Sequence, residues 1–298
     1  MRTPLVPLHT RDQSELLLKP ETLQPVASFK LRGLFNAVAR LSDEERQQGL
    51  STVSAGNTAF ALAWSARHFG VPARSLMPDN APQSKIDAVR AYGATPVLVP
   101  IEELFRYLRE QTWKSEPFTF IHPWTDRDVM TGHGSIGLEI VEDCPDVDSV
   151  FVSVGGGGLI AGVASAVKTL QPSVRVIGVE PEGCPSLHAS FDAGAPASVD
   201  CETICDGVAV PYITAEMYPL LRELVDEVVL VSEENVKRAI RRLALADKIV
   251  AEGAGALPVA AALATDRQER GKTVAVVSGG NIDREKLLAI LGDRSPSR

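Results

Sequence analysis

Ser149-Val150-Phe151-Val152-Ser153-Val154 runs directly into Gly155-Gly156-Gly157-Gly158, and the glycines run directly into the apolar stretch that begins Leu159-Ile160-Ala161. The order reads as a buried strand, a turn without side chains, and a helix from Ile160 to Leu170. Successive glycines at that place let several backbone N–H groups converge at the positive end of a helix, which makes a cradle for phosphate. A flexible glycine linker is the plainer reading, but linkers are not clamped between a buried strand and a buried helix. A dinucleotide would also suit the turn, since Gly156-x-Gly158-x-x-Ala161 matches the relaxed Rossmann fingerprint and Glu180 ends the next strand about 20 residues on.

Working outward, strand-like runs alternate with helical periods along the chain. Short strands are expected at Leu16–Leu18, Leu50–Ser54, Ala73–Met77, Thr95–Val99, Arg175–Val179, Glu227–Val231 and Thr273–Val277. Helices are expected at 29–41, 58–69, 84–92, 101–111, 136–141, 233–245, 257–264 and from Arg284. This alternation predicts an α/β protein with mainly parallel sheet. The looser stretch from Lys114 to Met130 reads as a crossover between domains, giving a small domain at 49–130 and a larger one from 1–48 and 131–298. In parallel sheets ligands bind beyond the carboxyl ends of strands. Besides the tetraglycine turn, two turns qualify there: Ser54-Ala55-Gly56-Asn57 and Ser278-Gly279-Gly280-Asn281.

The 298 residues are 45% hydrophobic and 23% charged, the composition of an ordinary globular chain. A net charge of −8 with no basic cluster argues against nucleic acid or an anionic membrane as partner. No apolar run approaches the roughly 18 residues that a bilayer span needs, and the first residues lack the apolar core of a secretory signal, so a cytoplasmic protein is expected. Cys144, Cys184, Cys201 and Cys205 show neither a CxxC pair nor histidine spacing. They are expected to be reduced, buried side chains. His9, His68, His133 and His188 have no metal spacing and are assigned no role.

Against the dinucleotide reading stands Ser28-Phe29-Lys30-Leu31-Arg32-Gly33, a lysine between two apolar residues at a helix start. A lone lysine is ordinarily a solvated charge. Together with the Asn57 turn, the tetraglycine turn and the Ser278 turn, however, this motif resembles the fold-type II pyridoxal-phosphate enzymes, in the serine/threonine dehydratase and serine racemase group. The resemblance extends through Thr3-Pro4-Leu5, Ala81-Pro82, His122-Pro123, Gly134-Ser135-Ile136-Gly137, Gly178-Val179-Glu180-Pro181, Asp206-Gly207 and Glu252-Gly253-Ala254-Gly255. It implies a tryptophan synthase beta-like fold: two open, mainly parallel twisted sheets with helices on both faces, the small domain inserted in the large one and the cofactor in the cleft between them. It also implies a homodimer.

Carried over residue by residue, the resemblance makes Lys30 the Schiff-base lysine for pyridoxal 5′-phosphate, with Phe29 beside the ring. Gly155, Gly156, Gly157, Gly158 and the Leu159 amide would hold the phosphate, Asn57 the ring hydroxyl, and Ser278 the pyridine nitrogen. Turn and N-cap duty alone would also explain Asn57 and Ser278. A hydroxyl at the nitrogen, unlike a carboxylate, does not hold it protonated, which favours prompt β-elimination over transamination. Ser54, Asn57 and Thr58 would meet the substrate carboxylate. The reaction implied is deamination of a β-hydroxy amino acid such as L-threonine or L-serine, with Lys30 as general base. Amino-acid racemisation and dehydration of a larger hydroxy amino acid of the hydroxyaspartate type are the alternatives, and an NAD oxidoreductase a distant one. Racemases carry a serine where this chain has Ala55, and an alanine cannot carry a proton. Thr58 and Phe60 replace the family's usual histidine and glutamine, which leaves the accepted side chain open; Phe60 also fits the apolar face of its helix as a core residue. A cation site would fall on Glu180, Cys184 and Ser186, with serine a poorer ligand than the family's aspartate, so that a monovalent ion or weak binding is expected. Too few residues follow Asn281 for a regulatory domain of about 50 residues, so no end-product control is expected.

Overall fold

The computed structural model describes residues 1–9 and 15–292. In chain order its elements are β1 (Val6–Pro7), β2 (Leu16–Pro20), α1 (Lys30–Arg40), α2 (Asp43–Gln47), β3 (Leu50–Val53), α3 (Asn57–Phe69), β4 (Ala73–Pro78), α4 (Gln83–Tyr92), β5 (Thr95–Val99), α5 (Ile101–Glu110), β6 (Thr119–Phe120) and α6 (Arg127–Asp143). They continue with β7 (Ser149–Ser153), α7 (Gly158–Leu170), β8 (Arg175–Pro181), α8 (Ser186–Ala193), α9 (Met217–Leu224), β9 (Glu227–Val231), α10 (Glu233–Arg242), α11 (Gly253–Ala264), α12 (Arg267–Arg270), β10 (Thr273–Val277) and α13 (Arg284–Gly292).

The elements group into two compact units, residues 1–29 with 134–298 and residues 30–133. In the first, six strands among the described residues form one sheet in the order β1-β2-β10-β7-β8-β9. All neighbours are parallel except the short β1–β2 pair. Parallel strands covered on both faces need apolar residues throughout. Val150, Val152, Val274, Ala275, Val276 and Val277 accordingly have no exposed surface. Helix α11 is buried from Gly253 to Ala262, all round rather than along one stripe, because it crosses beneath the sheet within the main core. Each Val or Leu so enclosed contributes about 1.5–3 kcal/mol.

In the second unit four strands form a parallel sheet in the order β5-β4-β3-β6. Helix α3 buries Thr58 to Ala63, Ser65 and Ala66. Its Trp64 ring lies 5.9 Å from Phe35 of α1. This packing draws α1 into the second unit, whereas the sequence places the first boundary after residue 48. The start of α6 packs equally close to α1: a Cβ on Gly33 would run into His133, and one on Gly132 into the carbonyl of Arg32. The stretch from 114 to 130, expected as an irregular crossover, holds β6 and the first turn of α6, which begins at Arg127 rather than Ile136. Among the described residues no helix is long and apolar enough to cross a membrane.

One expectation is overturned. Cys184 and Cys201 are joined by a disulfide, while Cys144 and Cys205 are free and buried. The pairing lies in an irregular stretch whose path no periodicity reveals. Gly183 makes it possible, because a Cβ there would collide with the carbonyl of Glu202, and the Glu202 amide donates to the Gly183 carbonyl at 2.8 Å.

Candidate active site

The first unit builds a seat for an anion. Strand β7 is buried along its whole length, and the amide of Val154 still pairs with the carbonyl of Val179 at 2.9 Å. The chain then leaves the sheet through the glycines. Gly157 takes φ +89°, a left-handed conformation that favours glycine, and α7 starts at the next residue. The seat is also walled: a Cβ on Gly157 would stand 2.6 Å from Leu221 Cδ1, and one on Gly155 would stand 3.0 Å from the Val208 Cα. With no side chains in the turn, the first amides of α7 are left to a ligand, and they lie at the positive end of its dipole. The donor set, the dipole and the shape fit a phosphate.

Ser278 ends the neighbouring strand β10 and is buried, with its hydroxyl 3.4 Å from that of Ser153, the last residue of β7. Sequence reasoning did not single out Ser153; its place at the end of β7 was the available signal. The turn after Ser278 also fixes the segment that leads to the lysine. Phe29 donates its amide to the Ser278 carbonyl at 2.9 Å, Gly280 donates to Ala27 at 2.9 Å, and the Asn281 side chain donates to Val26 at 2.8 Å. Ala27 sits at φ 52°, in the left-handed region. Phe29 is buried, and the next residue in the chain is Lys30.

In the second unit the Ser54 turn follows β3. The Ser54 amide donates to the Leu76 carbonyl at 3.0 Å, and the Ser54 hydroxyl accepts from the Gly56 amide at 3.1 Å. Asn57 opens α3 and is half-buried, whereas Thr58 is buried. Phe60 is buried against Tyr92, ring centroids 5.3 Å apart, which places it in the packed interior of this unit. Lys30 is the first residue of α1, and its Nζ donates to the Pro123 carbonyl at 3.2 Å. Beside that carbonyl, burial and then the charge of Lys30 push the His122 imidazole down to about 4.

The three residues expected to hold a cation meet at the start of α8, but as a helix cap. Glu180 is fully buried and accepts from the amides of Leu187 at 2.8 Å and His188 at 2.9 Å. The Ser186 hydroxyl donates to the same carboxylate at 3.3 Å, a neutral oxygen in place of the charged one an aspartate would bring. Burial raises Glu180 to about 7 against these donors. At Cys184 the expected ligand is the backbone carbonyl, which the disulfide through its sulfur leaves in place. Among the described residues no group of three His, Cys, Asp or Glu side chains is placed to hold a metal. Glu180 thus brings one carboxylate, already accepting from helix amides, where a divalent ion takes 6–8 oxygen ligands, a donor set poorer in charge than such an ion takes.

A model of the pyridoxal-phosphate dependent enzyme family matches residues 1–279. The chain belongs to that family. It is 46% identical over 282 residues to L-threonine ammonia-lyase of Thermotoga maritima, a match covering 93% of this chain and 70% of that protein. Among solved structures, the processed form of threonine deaminase isoform 2 from Solanum lycopersicum superimposes with a TM-score of 0.91 at 36% identity, covering 98% of this chain and 88% of the other. Maize serine racemase superimposes with a TM-score of 0.89 at 32% identity, covering 97% and 91%. The alternation of strands and helices, with two mainly parallel sheets, is thus the fold-type II architecture of pyridoxal-phosphate enzymes, and the protein is a lyase that uses this cofactor. The dinucleotide reading of the tetraglycine turn falls away with it.

Proposed function

We propose that the protein deaminates a β-hydroxy amino acid, L-threonine before L-serine, to a 2-oxo acid and ammonia. The observation that carries this reading is the side-chain-free seat at Gly155–Gly158 in a chain that also carries Lys30, Ser278 and Ala55 at the family's positions. Gly155 to Gly158 and the Leu159 amide would hold the cofactor's phosphate, Asn57 its ring hydroxyl, and Ser278 its ring nitrogen. Pyridoxal phosphate, when bound, supplies an electron sink for the bond to the substrate's α-hydrogen.

The rest is done by the chain. The Lys30 amine takes the α-proton as general base once the substrate amine has displaced it. Ser54, Asn57 and the first amides of α3 near Thr58 receive the carboxylate, as helix N-termini do. Ser278 offers a hydroxyl, which leaves the ring nitrogen unprotonated and suits prompt loss of the β-hydroxyl as water. The released enamine then hydrolyses to the 2-oxo acid and ammonia, so the net change is loss of ammonia alone. Ala55 has no proton to return to the opposite face, which disfavours racemisation. A homodimer belongs to this reading, supported by the family resemblance.

The test is a panel of L-amino acids assayed for ammonia and 2-oxo acid, with chiral chromatography of the remaining substrate. Threonine and serine are expected to be consumed with little D-isomer. D-serine as main product, or turnover confined to a hydroxyaspartate, would replace this reading with the corresponding alternative.

A further inference from the structure

The His122-Pro123-Trp124-Thr125 segment follows β6 and passes the Lys30 side chain. The reaction read above uses Lys30 but gives no part to the residues that hold its amine. We propose that His122 is a positioning residue, its ring nitrogen fastening the 122–125 turn so that the Pro123 carbonyl receives the Lys30 amine whenever that amine is not bonded to the cofactor. The inference deepens the proposed function and rests on it for the role of Lys30.

Three observations support it. His122 Nδ1 accepts from the amides of Thr125 at 3.2 Å and Trp124 at 3.4 Å, which closes the turn and puts the ring proton on Nε2. Three rings flank the half-buried imidazole: Trp124 edge-on at 4.8 Å, Trp113 at 5.8 Å and Phe120 at 6.1 Å between centroids. The carbonyl that this turn presents, that of Pro123, accepts from Lys30 Nζ at 3.2 Å. Burial and the lysine charge keep His122 neutral near pH 7, so that Nδ1 stays an acceptor and no second cation stands beside the amine. A proline at position 123 has no amide of its own to compete for the acceptor.

A base works from one position and one orientation, and an amine released into an unfixed place loses rate without losing substrate affinity. The decisive pair of variants is His122→Phe, which keeps the ring and removes the acceptor, and His122→Asn, which keeps an acceptor suited to closing such a turn. In the holoenzyme, His122→Phe is expected to lower kcat about tenfold with KM within about threefold, and His122→Asn to stay within about threefold in both. In the cofactor-stripped full chain, amide hydrogen exchange at Trp124 and Thr125 is expected to quicken about tenfold in His122→Phe and to hold in His122→Asn. Wild-type kcat and exchange in His122→Phe would overturn the proposal, as would a His122→Asn protein that fails as badly as His122→Phe. Should His122→Phe not fold, His122→Asn decides alone by the same limits. The exchange readout needs no substrate, so a wrong choice of amino acid fails the assay above and leaves this test standing.

Discussion

The turn after β7 and the turn after β3 hold equivalent places in their sheets, each at the carboxyl end of a parallel strand and the start of a helix of 13 residues, yet they are built by opposite means. At Gly155–Gly158 the side chains are gone and the backbone itself is the binding surface, backed by Val208 and Leu221. At Ser54–Asn57 the side chains remain, half-buried, and the Ser54 hydroxyl already organises the turn by accepting from Gly56. A backbone seat recognises a group common to every pyridoxal-phosphate enzyme. A side-chain seat can be retuned by single substitutions, so it is where substrate choice would reside. The first should therefore fail by losing cofactor, the second by losing substrate.

The largest effect is expected at Gly157. A valine there must adopt φ near +89° and place its Cβ 2.6 Å from Leu221 Cδ1. Backbone strain costs about 1–3 kcal/mol and overpacking a similar amount, so cofactor affinity should fall by about 100-fold or more. Titration of the stripped protein with pyridoxal phosphate measures it, and an unchanged affinity would break the contrast between the two turns.

Next comes the disulfide, which ties the loop after β8 to the segment that runs on to Val208, the residue behind Gly155. Closing a loop of about 15 residues is worth about 3 kcal/mol. Cys201→Ser should lower the unfolding free energy by about that amount and weaken cofactor binding in the same protein, while the Michaelis constant at saturating cofactor stays put. Denaturant unfolding with and without a dithiol reductant checks it, since reduced wild-type protein should match the variant.

Removing the Ser54 hydroxyl tests the other turn. Ser54→Ala should raise KM about tenfold, the loss of one hydrogen bond to a charged group, with cofactor affinity nearly unchanged. A variant that sheds cofactor instead would mean that the two turns share one task.

The same contrast explains what was legible in the sequence. The tetraglycine turn could be read because glycine is specified there by shape: Gly157 needs the left-handed region and Gly155 has a backbone atom behind it. Strands β7 and β10 are legible for a related reason, as short runs with an apolar middle, Val150–Val152 and Val274–Val277, and no charged residue. Lys30 stood out only in company, since one lysine says little and a lysine with three turns in order says much. What stayed hidden depends on long-range meeting. The Cys184–Cys201 bond, the buried pairing of Lys19 with Glu139 at 2.6 Å, and the Pro123 carbonyl at Lys30 join residues far apart in the chain. The assignment of α1 to the second unit has the same cause, because its packing on α3 follows from tertiary fit and not from its own period. At Glu180 the strand end is legible, whereas the α8 amides it accepts from cannot be seen until that helix is placed.

The smallest effect expected is one of slope with pH, and it sharpens the comparison between the units that carry the two turns. In the second unit His122 is held down to about 4, and His133, fully enclosed, is lowered well below its usual value by burial and the charges of Lys30 and Arg32. Between about 4 and 6.5 the unfolded chain binds these protons and the native one does not, so stability is lost as pH falls through that window. In the first unit Glu180 is raised from 4.5 to about 7 by burial. There the native state keeps a proton that the unfolded chain releases, so the stability it contributes is present below 4.5 and lost as pH rises to about 7. The two trends oppose one another and flatten the profile of the whole chain near pH 6. Replacing one group should tilt it. His122→Asn should flatten the acid limb and leave part of it to His133, with a change under about 1 kcal/mol at pH 6, where each full proton is worth about 1.4 kcal/mol per pH unit. Glu180→Gln should remove the decline toward pH 7. Urea midpoints measured from pH 4 to 8 read both slopes, and identical profiles for the wild type and both variants would show that neither burial is felt in the free energy of unfolding.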